Sequence, residues 1–181
     1  GFTVGGASAS GQMAIIQAAN LIRLGDVDRC LVVGPLADLN PMALQSFESM
    51  GALGGHDYSQ KPHEASRPFD EERNGFIFSQ ACGAIILESN ASCSSSGRSS
   101  IGSLSGSGIY LDGTALPSPS ANGEAAGMKL AMEAAGVGTA EIDTINAHGT
   151  ASNAGDIAEL EAIASVFGAH ATSLKVQSTK G

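Results

Sequence analysis

The sequence predicts a layered α/β fold, because short apolar strands alternate along the 181-residue chain with helices that end at glycine. Continuous apolar runs of this length are typical of strands covered on both faces. Glycine is abundant, at 24 residues, and aromatic residues make up only 4% of the chain, as expected where helices and strands pack closely. We therefore expect buried sheets between helices.

The chain before residue 89 contains two predicted helices and two predicted strands. Residues 9–24 are apolar on most sides, which predicts a central helix that stops at Gly25. The other predicted elements are a strand at 30–34, a helix at 41–50 and a strand at 81–88.

A Ser-rich segment divides the chain at 89–100. It has seven serines in twelve residues, a composition that predicts an exposed, disordered linker. We expect one domain half to end in 1–88 and the next to begin in 101–181. The predicted elements of the second half are a strand at 101–112, a helix at 122–135, a strand at 142–146, a helix at 156–167 and a strand at 173–178.

Composition excludes several classes of function. The net charge of −9, with nine basic residues spread singly, argues against nucleic-acid binding. Cys30, Cys82 and Cys93 have neither metal-site nor disulfide spacing, and no apolar run reaches membrane-spanning length. We expect a cytoplasmic protein that binds no metal and no membrane. Because the chain begins without Met and stops just after a predicted strand, we also expect an internal fragment of a longer protein.

The turn at residues 4–11, Val-Gly-Gly-Ala-Ser-Ala-Ser-Gly, presents the hydroxyl of Ser8 just before a helix. Its small neighbours leave the hydroxyl accessible, and N–H groups at a helix start can hold an oxyanion. The alternative is that Ser8 or Ser10 caps the helix. The match to the hydrolase elbow G-x-S-x-G is weak, because the last glycine is missing.

Four other side chains are candidates by position. His148 follows a predicted buried strand, where an imidazole can face a pocket, although a structural histidine is the alternative. Asp156 and Glu159 lie three residues apart at a helix start, where capping is the simple explanation. Lys180 ends a strand-like segment, and a lone lysine is usually solvated.

A dense charged turn lies at 67–76. There Asp70 can pair with Arg67 or Arg73, and a buried ion pair that shapes the loop is the favoured interpretation.

Taken together, these motifs resemble the β-ketoacyl synthases over essentially the whole chain. The matching blocks stand in the family's order: Gly6-Ala-Ser8-Ala-Ser-Gly11, Arg67-Pro-Phe-Asp70 with Arg73-x-Gly75-Phe76, Asn146-Ala-His148-Gly-Thr150 with Asp156-x-x-Glu159, and Ser178-Thr-Lys180. The resemblance implies a thiolase-like, five-layered α/β/α/β/α fold of which this is a partial chain, usually as a homodimer. It also implies no bound cofactor, and a substrate carried as a thioester on the phosphopantetheine arm of an acyl carrier protein.

The resemblance also implies roles for single residues. His148 would be one of two active-site histidines on the thioester carbonyl, the second lying beyond residue 181 in the family. Thr150 and Ser152 would line the pantetheine tunnel. Lys180 would form a supporting charged network with Asp156 and Glu159.

Three departures from the family's pattern stand out. The family has cysteine where this chain has Ser8, a glycine-rich segment with an acidic residue where it has 79–83, and commonly a helix where it has 89–100. The first departure changes the chemistry, because a condensing cysteine must be a thiolate to accept an acyl chain. A helix N-terminus lowers a pKa by roughly 1.5 units, which suffices for a thiol and not for a hydroxyl. Decarboxylation of a malonyl thioester needs no nucleophile.

The residues around Ser8 and those at 34–39 resemble a serine-bearing, stand-alone subset of the family in bacterial polyketide clusters. That resemblance implies decarboxylation of malonyl-acyl carrier protein, whose acetyl product feeds an HMG-CoA-synthase-like enzyme. The alternatives are a synthase or acyltransferase that uses Ser8, an inactive partner subunit like the chain-length factors, and, weakest, a serine hydrolase.

Overall fold

In the computed structural model, the chain divides into two compact units. The structure describes residues 1–36, 39–114 and 118–181. The first unit contains the described residues among 1–38 and 80–105, and the second contains those among 39–79 and 106–181. The second unit thus draws on both sides of the Ser-rich segment. Ala37 and Asp38, from the motif at 34–39, lie outside the described residues.

The first unit is built on helix α1 (Ser10–Arg23) and strand β1 (Arg29–Gly34), which pack together. The helix stops as predicted at Gly25, which has a φ of 78°. Such a left-handed residue lets the next N–H turn back, and Asp26 donates its N–H to the Leu21 oxygen at 3.0 Å. The prediction of a helix followed by a strand is confirmed.

Strand β2 (Gly83–Glu88) pairs antiparallel with β1, so that Leu31 lies opposite Ile86. The two strands are where the sequence predicts them, but the expected cover on both faces is wrong for the described residues. Leu31 is 63% exposed and Ile86 66%, whereas Val32, on the other face, is 8% exposed. The sequence pattern reports how apolar a strand is, and it does not say whether a second layer lies over it.

Helix α3 (Asn90–Ser95) corrects the expectation of a disordered Ser-rich linker at 89–100. Ser89 caps it by accepting a hydrogen bond from the Ser92 N–H at 3.2 Å. Before the helix, the carboxylate of Glu88 accepts hydrogen bonds from Arg29 Nε at 2.5 Å and Arg98 Nη2 at 2.5 Å. Low sequence complexity predicts disorder because such segments bury little, but here capping and charge pairing hold the segment.

The second unit contains helices α2 (Pro41–Ser49), α4 (Ala121–Ala135) and α5 (Asn153–Phe167) and strands β3 (Thr144–Asn146) and β4 (Lys175–Gln177). Strand β3 pairs with β4 in parallel, with Ile145 opposite Val176, and α4 packs on α5. All five elements lie where the sequence predicts them, although α5 begins three residues before the predicted start.

The predicted strand at 101–112 is not formed, although these residues are described. The segment runs as irregular backbone, and two of its glycines, Gly106 and Gly108, pack directly on α4. A Cβ on Gly106 would lie 2.4 Å from the Ala131 oxygen, and one on Gly108 would lie 2.4 Å from the Gly127 oxygen. A strand needs a hydrogen-bonded neighbour, and the part of the segment from Gly106 to Gly108 lies against a helix instead.

The core of the second unit is made largely of small side chains. Most of its buried apolar residues belong to α5 and to the loop between β3 and α5: Ala147, Ala151, Ala158, Ala162, Ile163 and Phe167. Two carboxylates, Asp156 at 1% and Glu159 at 8% exposed, lie among them. A buried carboxylate must be paired or hydrogen-bonded, so these two define where the site is held together.

Candidate active site

Ser8 lies in the first unit, in a short 3-10 turn (Ala7–Ala9) that leads into α1. The residue is exposed, and its hydroxyl makes no hydrogen bond with a described residue. Ala7, just before it, has a φ of 47°, which residues with a Cβ rarely adopt. The turn therefore presents the Ser8 hydroxyl outward on a strained bend, as an elbow does.

Neither serine of the turn caps α1. The N-cap residue is Ala9, and no side chain bonds to the first N–H groups of the helix. Ser10 pins the bend instead, because its hydroxyl accepts from the Gly6 N–H at 2.9 Å and donates to the Ala7 oxygen at 2.6 Å. The capping alternative for Ser8 is thus wrong.

His148 lies in the second unit, in the loop 147–152 that connects β3 to α5; we call this segment the His148 loop. Its backbone is tied to β4 on one side, since Ala147 donates its N–H to the Gln177 oxygen at 2.7 Å. Ala151 is fully buried with a φ of 67°, a second strained residue near a candidate catalytic group.

Glu159 fixes the start of the His148 loop. Its Oε1 accepts the N–H of His148 at 2.7 Å, and its Oε2 accepts the N–H of Gly149 at 2.8 Å. Both oxygens of one buried carboxylate thus bind consecutive backbone N–H groups. Hydrogen bonds to an ionised group are roughly twice as strong as neutral ones, so this pair sets the direction in which His148 leaves the backbone.

Asp156 fixes the end of the same loop and links it to another. Its Oδ1 accepts the N–H of Thr150 at 3.1 Å, and its Oδ2 accepts the N–H of Phe69 at 2.7 Å. Asp156 and Glu159 therefore do more than cap a helix. One turn of α5 holds backbone from 148–150 and from the charged turn at 67–76.

Arg73 pairs with Asp156, a contact that spans 83 residues of sequence and was not predicted. Its Nε lies 3.7 Å from Asp156 Oδ2, with 13% of the Arg73 side chain exposed. The same guanidinium donates to the backbone carbonyl oxygen of Asp70 at 2.8 Å and to that of Asn153 at 3.1 Å. Gly75 adds a backbone bond to the Ala151 oxygen at 3.0 Å.

The ion pair predicted within the charged turn is formed by Arg67, whose Nε lies 3.1 Å from Asp70 Oδ1. It is only partly buried, with 22% and 41% of the two side chains exposed. The N–H of Glu72 and then the Arg67 guanidinium lower the pKa of Asp70. Arg67 also lies over the ring of Tyr58, 5.2 Å from its centroid, so the pair pins the loop.

Lys180 reaches the His148 loop from beyond β4. Its Nζ donates a hydrogen bond to the His148 oxygen, and the Ser66 hydroxyl donates one to the Lys180 oxygen. Ser178 donates to the Gly149 oxygen at 2.7 Å. The second unit therefore brings His148, Lys180, Asp156 and Glu159 together, with Ser178 and Phe69 as contacts that the sequence did not reveal.

Thr150 and Ser152 lie at the end of the His148 loop, and their hydroxyls are hydrogen-bonded to each other at 2.9 Å. Both residues are partly exposed. A Cβ on Gly155 would lie 2.5 Å from the Ser152 hydroxyl, so glycine there keeps the space that this hydroxyl occupies.

The surroundings of His148 favour its neutral form. Partial desolvation of the ring and then the positive charge of Lys180 lower the pKa of His148, while Glu159 and Asp156 act weakly in the opposite direction. A neutral imidazole at neutral pH carries one N–H donor and one lone pair. It can donate to a carbonyl oxygen without holding a positive charge beforehand.

Within the part of the chain that the structure describes, no helix is long and apolar enough to cross a membrane. The same residues contain no group of three His, Cys, Asp or Glu side chains that could hold a metal ion.

Comparison with known proteins gives the family. Sequence models of the β-ketoacyl synthase N-terminal and C-terminal domains match residues 1–92 and 101–181, and the chain therefore belongs to the β-ketoacyl synthase family. Among its relatives is the polyketide biosynthesis malonyl-ACP decarboxylase PksF of Bacillus subtilis strain 168, which is 42% identical over 94% of this chain. The chain spans 41% of the length of that relative.

Solved structures give the fold. A β-ketoacyl synthase from Burkholderia phymatum STM815 is 31% identical over 95% of this chain and 41% of its own, with a TM-score of 0.87. A type II polyketide synthase ketosynthase in complex with its acyl-carrier protein is 31% identical over 95% of this chain and 42% of its own, with a TM-score of 0.86. The predicted fold class, a thiolase-like α/β fold present as a partial chain, is confirmed.

Proposed function

We propose that the protein carrying this chain converts malonyl-acyl carrier protein to acetyl-acyl carrier protein and CO₂. The observation that carries the proposal is the hydroxyl of Ser8 on a strained, outward-facing turn at the position of the family's cysteine. The similarity to a malonyl-ACP decarboxylase supports it.

Serine at this position argues against acyl transfer. An aliphatic hydroxyl attacks a thioester only with a general base to take its proton, and no described residue of the first unit accepts a hydrogen bond from Ser8. A thiol at the same place needs only a modest fall in pKa to become a thiolate. The exchange therefore removes acyl loading and leaves the decarboxylation step in place.

Decarboxylation breaks the bond between the malonyl methylene carbon and its carboxylate. The electron pair moves into the thioester as an enolate, CO₂ departs, and a proton added to the methylene carbon gives the acetyl thioester. The enolate oxygen needs hydrogen-bond donors, each worth about 10²–10³ in rate. The neutral imidazole of His148, aimed by Glu159 and Lys180, is our candidate for one of them.

The partners follow from this substrate. We propose that an acyl carrier protein delivers the malonyl group on its phosphopantetheine arm, with Thr150 and Ser152 beside that arm. We further propose that the protein acts as a homodimer and that an HMG-CoA-synthase-like enzyme consumes its acetyl product. The solved relative that binds an acyl-carrier protein supports the first of these proposals.

Mass spectrometry of malonyl-loaded carrier protein, incubated with the full-length protein, tests the function. We expect loss of CO₂ to give acetyl carrier protein with no acyl adduct on Ser8. The variant Ser8→Cys should acquire an acyl adduct at position 8, and His148→Ala should lose at least about 10²-fold in decarboxylation rate. A malonyl group that persists after incubation with the wild-type protein contradicts the proposal.

Two other functions would give different results in the same experiment. A condensing enzyme, which the similarity to a β-ketoacyl synthase favours, would form acyl-Ser8 and a β-keto product. An inactive partner subunit would leave the malonyl group intact and co-purify with a cysteine-bearing paralogue.

A further inference from the structure

Glu124, in the first turn of α4, has a carboxylate oxygen without a partner. Its Oε2 is buried and makes no hydrogen bond with any described residue. A buried carboxylate left in this way costs free energy if it is ionised, so an unsatisfied group of this kind requires an explanation. Neither the predicted catalytic set nor the core uses it.

Glu159 is the charged neighbour that affects Glu124. Helix α4, which carries Glu124, packs on α5, which carries Glu159. The negative charge of the Glu159 carboxylate contributes, after burial, to the raised pKa of Glu124. Both oxygens of Glu159 are already engaged, with the N–H groups of His148 and Gly149. Two carboxylates close together cannot both ionise without repulsion.

The other charged groups near this contact are placed differently. Asp156 binds the far end of the His148 loop, and Lys180 binds the His148 oxygen. Asp112 lies beside the first turn of α4, where a Cβ on Gly123 would be 3.1 Å from the Asp112 Cβ, and its carboxylate accepts the N–H of Thr114. The pKa of Glu124 is raised by burial and then by Glu159.

We propose that Glu124 is a positioning residue for the His148 loop. As a neutral acid it leaves Glu159 as the negative charge that the described residues bring to that contact, and when it ionises it places a second negative charge beside the carboxylate that holds His148 and Gly149. The loop is then held less firmly, and the direction of the His148 ring becomes less fixed. The effect on the reaction rests on the proposed decarboxylase function, whereas the effect on the loop does not.

The direction of the pH dependence follows from the burial of Glu124. Burial, and secondarily Glu159, raises the pKa of Glu124 from 4.5 to about 7 in the folded protein. A carboxyl whose pKa is raised in the folded protein binds its proton more tightly there than in the unfolded chain. Its ionisation at higher pH therefore lowers the free energy of unfolding. Because folded Glu124 loses its proton as pH rises through about 7, we expect the His148 loop to be best ordered in mildly acid solution and to loosen between pH 6 and pH 8.

Hydrogen exchange on the full-length protein tests this directly. The protection of the His148 and Gly149 N–H groups should fall about 3- to 10-fold between pH 6 and pH 8 in the wild type, after correction for intrinsic exchange rates. Glu124→Gln should keep the pH 6 protection at pH 8. The matched control is Glu133→Gln, an exposed position of the same helix, and it should behave as the wild type does.

The decarboxylation rate supplies the second measurement. In the wild type, kcat should fall between pH 6 and pH 8 by about the factor by which protection falls. In Glu124→Gln this fall of kcat should be absent, and KM should be the same in both proteins. Equal pH dependence of protection in the wild type and Glu124→Gln overturns the proposal. A change in protection with no detectable decarboxylation contradicts the proposed function and leaves the positioning role standing. A change in protection with the same pH dependence of kcat in both proteins contradicts the effect of loop order on the rate.

Infrared spectroscopy of the wild type covers the case in which Glu124→Gln does not fold. A protonated carboxyl band should be present at pH 6 and disappear with a midpoint near pH 7. Absence of that band at pH 6 overturns the proposal without any variant.

Discussion

The turn at Ser8 owes its bend to neighbouring residues and not to its own side chain. Ala7 carries the positive φ of 47°, and the Ser10 hydroxyl bonds to Gly6 and Ala7. Backbone strain of this kind costs about 1–3 kcal/mol and persists only where the surroundings fix it. The bend does not depend on the Ser8 hydroxyl, so we expect Ser8→Cys to leave the backbone of the turn in place.

At the same scale, the charge of His148 predicts how kcat of the proposed decarboxylation falls in acid solution. Because the pKa of His148 is lowered from 6.5, its neutral form, with one N–H donor and one lone pair, persists below that pH. If the proposed reaction uses this neutral form, the midpoint of the acid limb of kcat should lie below pH 6.5. Lys180→Met removes a cause of the lowering and should move the midpoint upward. The measurement is a pH profile of kcat for each protein.

Lys175→Met is the matched control for this prediction, since Lys175 is an exposed lysine of β4 in the same unit. It should leave the acid limb where the wild type has it. A midpoint at or above pH 6.5 in the wild type would mean that His148 is not the group that titrates.

Replacing glycine by alanine should change the free energy of unfolding in opposite directions at two positions of the second unit. Gly149 has a φ of 35°, and a Cβ there would lie 2.7 Å from the Ser178 Cβ and 2.9 Å from Phe69 Cε2. Gly127, inside α4, has open space at that position. We expect Gly149→Ala to lower the free energy of unfolding by about 1–3 kcal/mol and Gly127→Ala to raise it by about 0.5–1 kcal/mol.

Denaturant unfolding of the two glycine variants measures both effects. Two changes of the same sign would show that the close approach of Phe69 and Ser178 to the His148 loop is not the constraint at Gly149.

At the scale of elements, α3 is held at its start by one carboxylate. Glu88 binds Arg29 from β1, Arg98 from beyond the helix and the Ser92 hydroxyl within it, the last at 2.6 Å. Arg98 and then Ser92 and Arg29 lower the pKa of Glu88 from 4.5 to about 2. The contribution of Glu88 is thus complete above pH 4.5 and is lost as pH falls through about 2.

Limited proteolysis at neutral pH tests the role of Glu88. Glu88→Gln removes the charge that joins the two arginines, and we expect faster cleavage within 89–100 than in the wild type. Asp26→Asn, an exposed acidic position of the same unit, is the control and should leave the cleavage rate unchanged. Equal cleavage of all three proteins would mean that capping by Ser89 alone orders α3.

At the scale of the whole molecule, local pattern predicts the elements and not what lies beside them. The apolar periodicity of α1 and the glycine after it define that helix from sequence alone. The same kind of pattern gives β1 and β2 but says nothing of the layer over Leu31 and Ile86. It also predicts a strand at 101–112 that does not form, and Gly106 and Gly108 of this segment lie against helix α4.

The candidate site divides in the same way. The motif order identifies His148, Asp156, Glu159 and Lys180, and the second unit brings these four together. The contact between Arg73 and Asp156 joins segments 83 residues apart in sequence, so no local pattern contains it. Glu124 is missed for another reason: an acidic residue in the first turn of a helix is ordinary, and only packing makes it unusual.

The exposed face of β1 and β2 predicts how the 181-residue chain behaves in solution. Apolar cross-strand pairs on an uncovered sheet face favour self-association. Leu31→Lys combined with Ile86→Glu should reduce association in light scattering and change the free energy of unfolding by less than about 0.5 kcal/mol for each exposed site.

Val32→Lys is the control on the opposite face, where the side chain is 8% exposed. Burial of an unpaired charge there should destabilise the chain strongly. Unfolding of the Leu31 and Ile86 double variant would instead show that this face is covered in solution.

Asp156 and Glu159 hold the backbone of the His148 loop from two fixed positions on α5. The direction of the His148 imidazole therefore depends on the number of residues in the first turn of α5 as well as on their identity. Each residue added to or removed from the first turn of α5 rotates the following side chains by about 100° around the helix axis. A single-residue insertion after Asn153 would therefore turn Asp156 and Glu159 away from four backbone amides at once. Protein engineers can vary the outer surface of this helix freely, but its register with the preceding loop has to be kept.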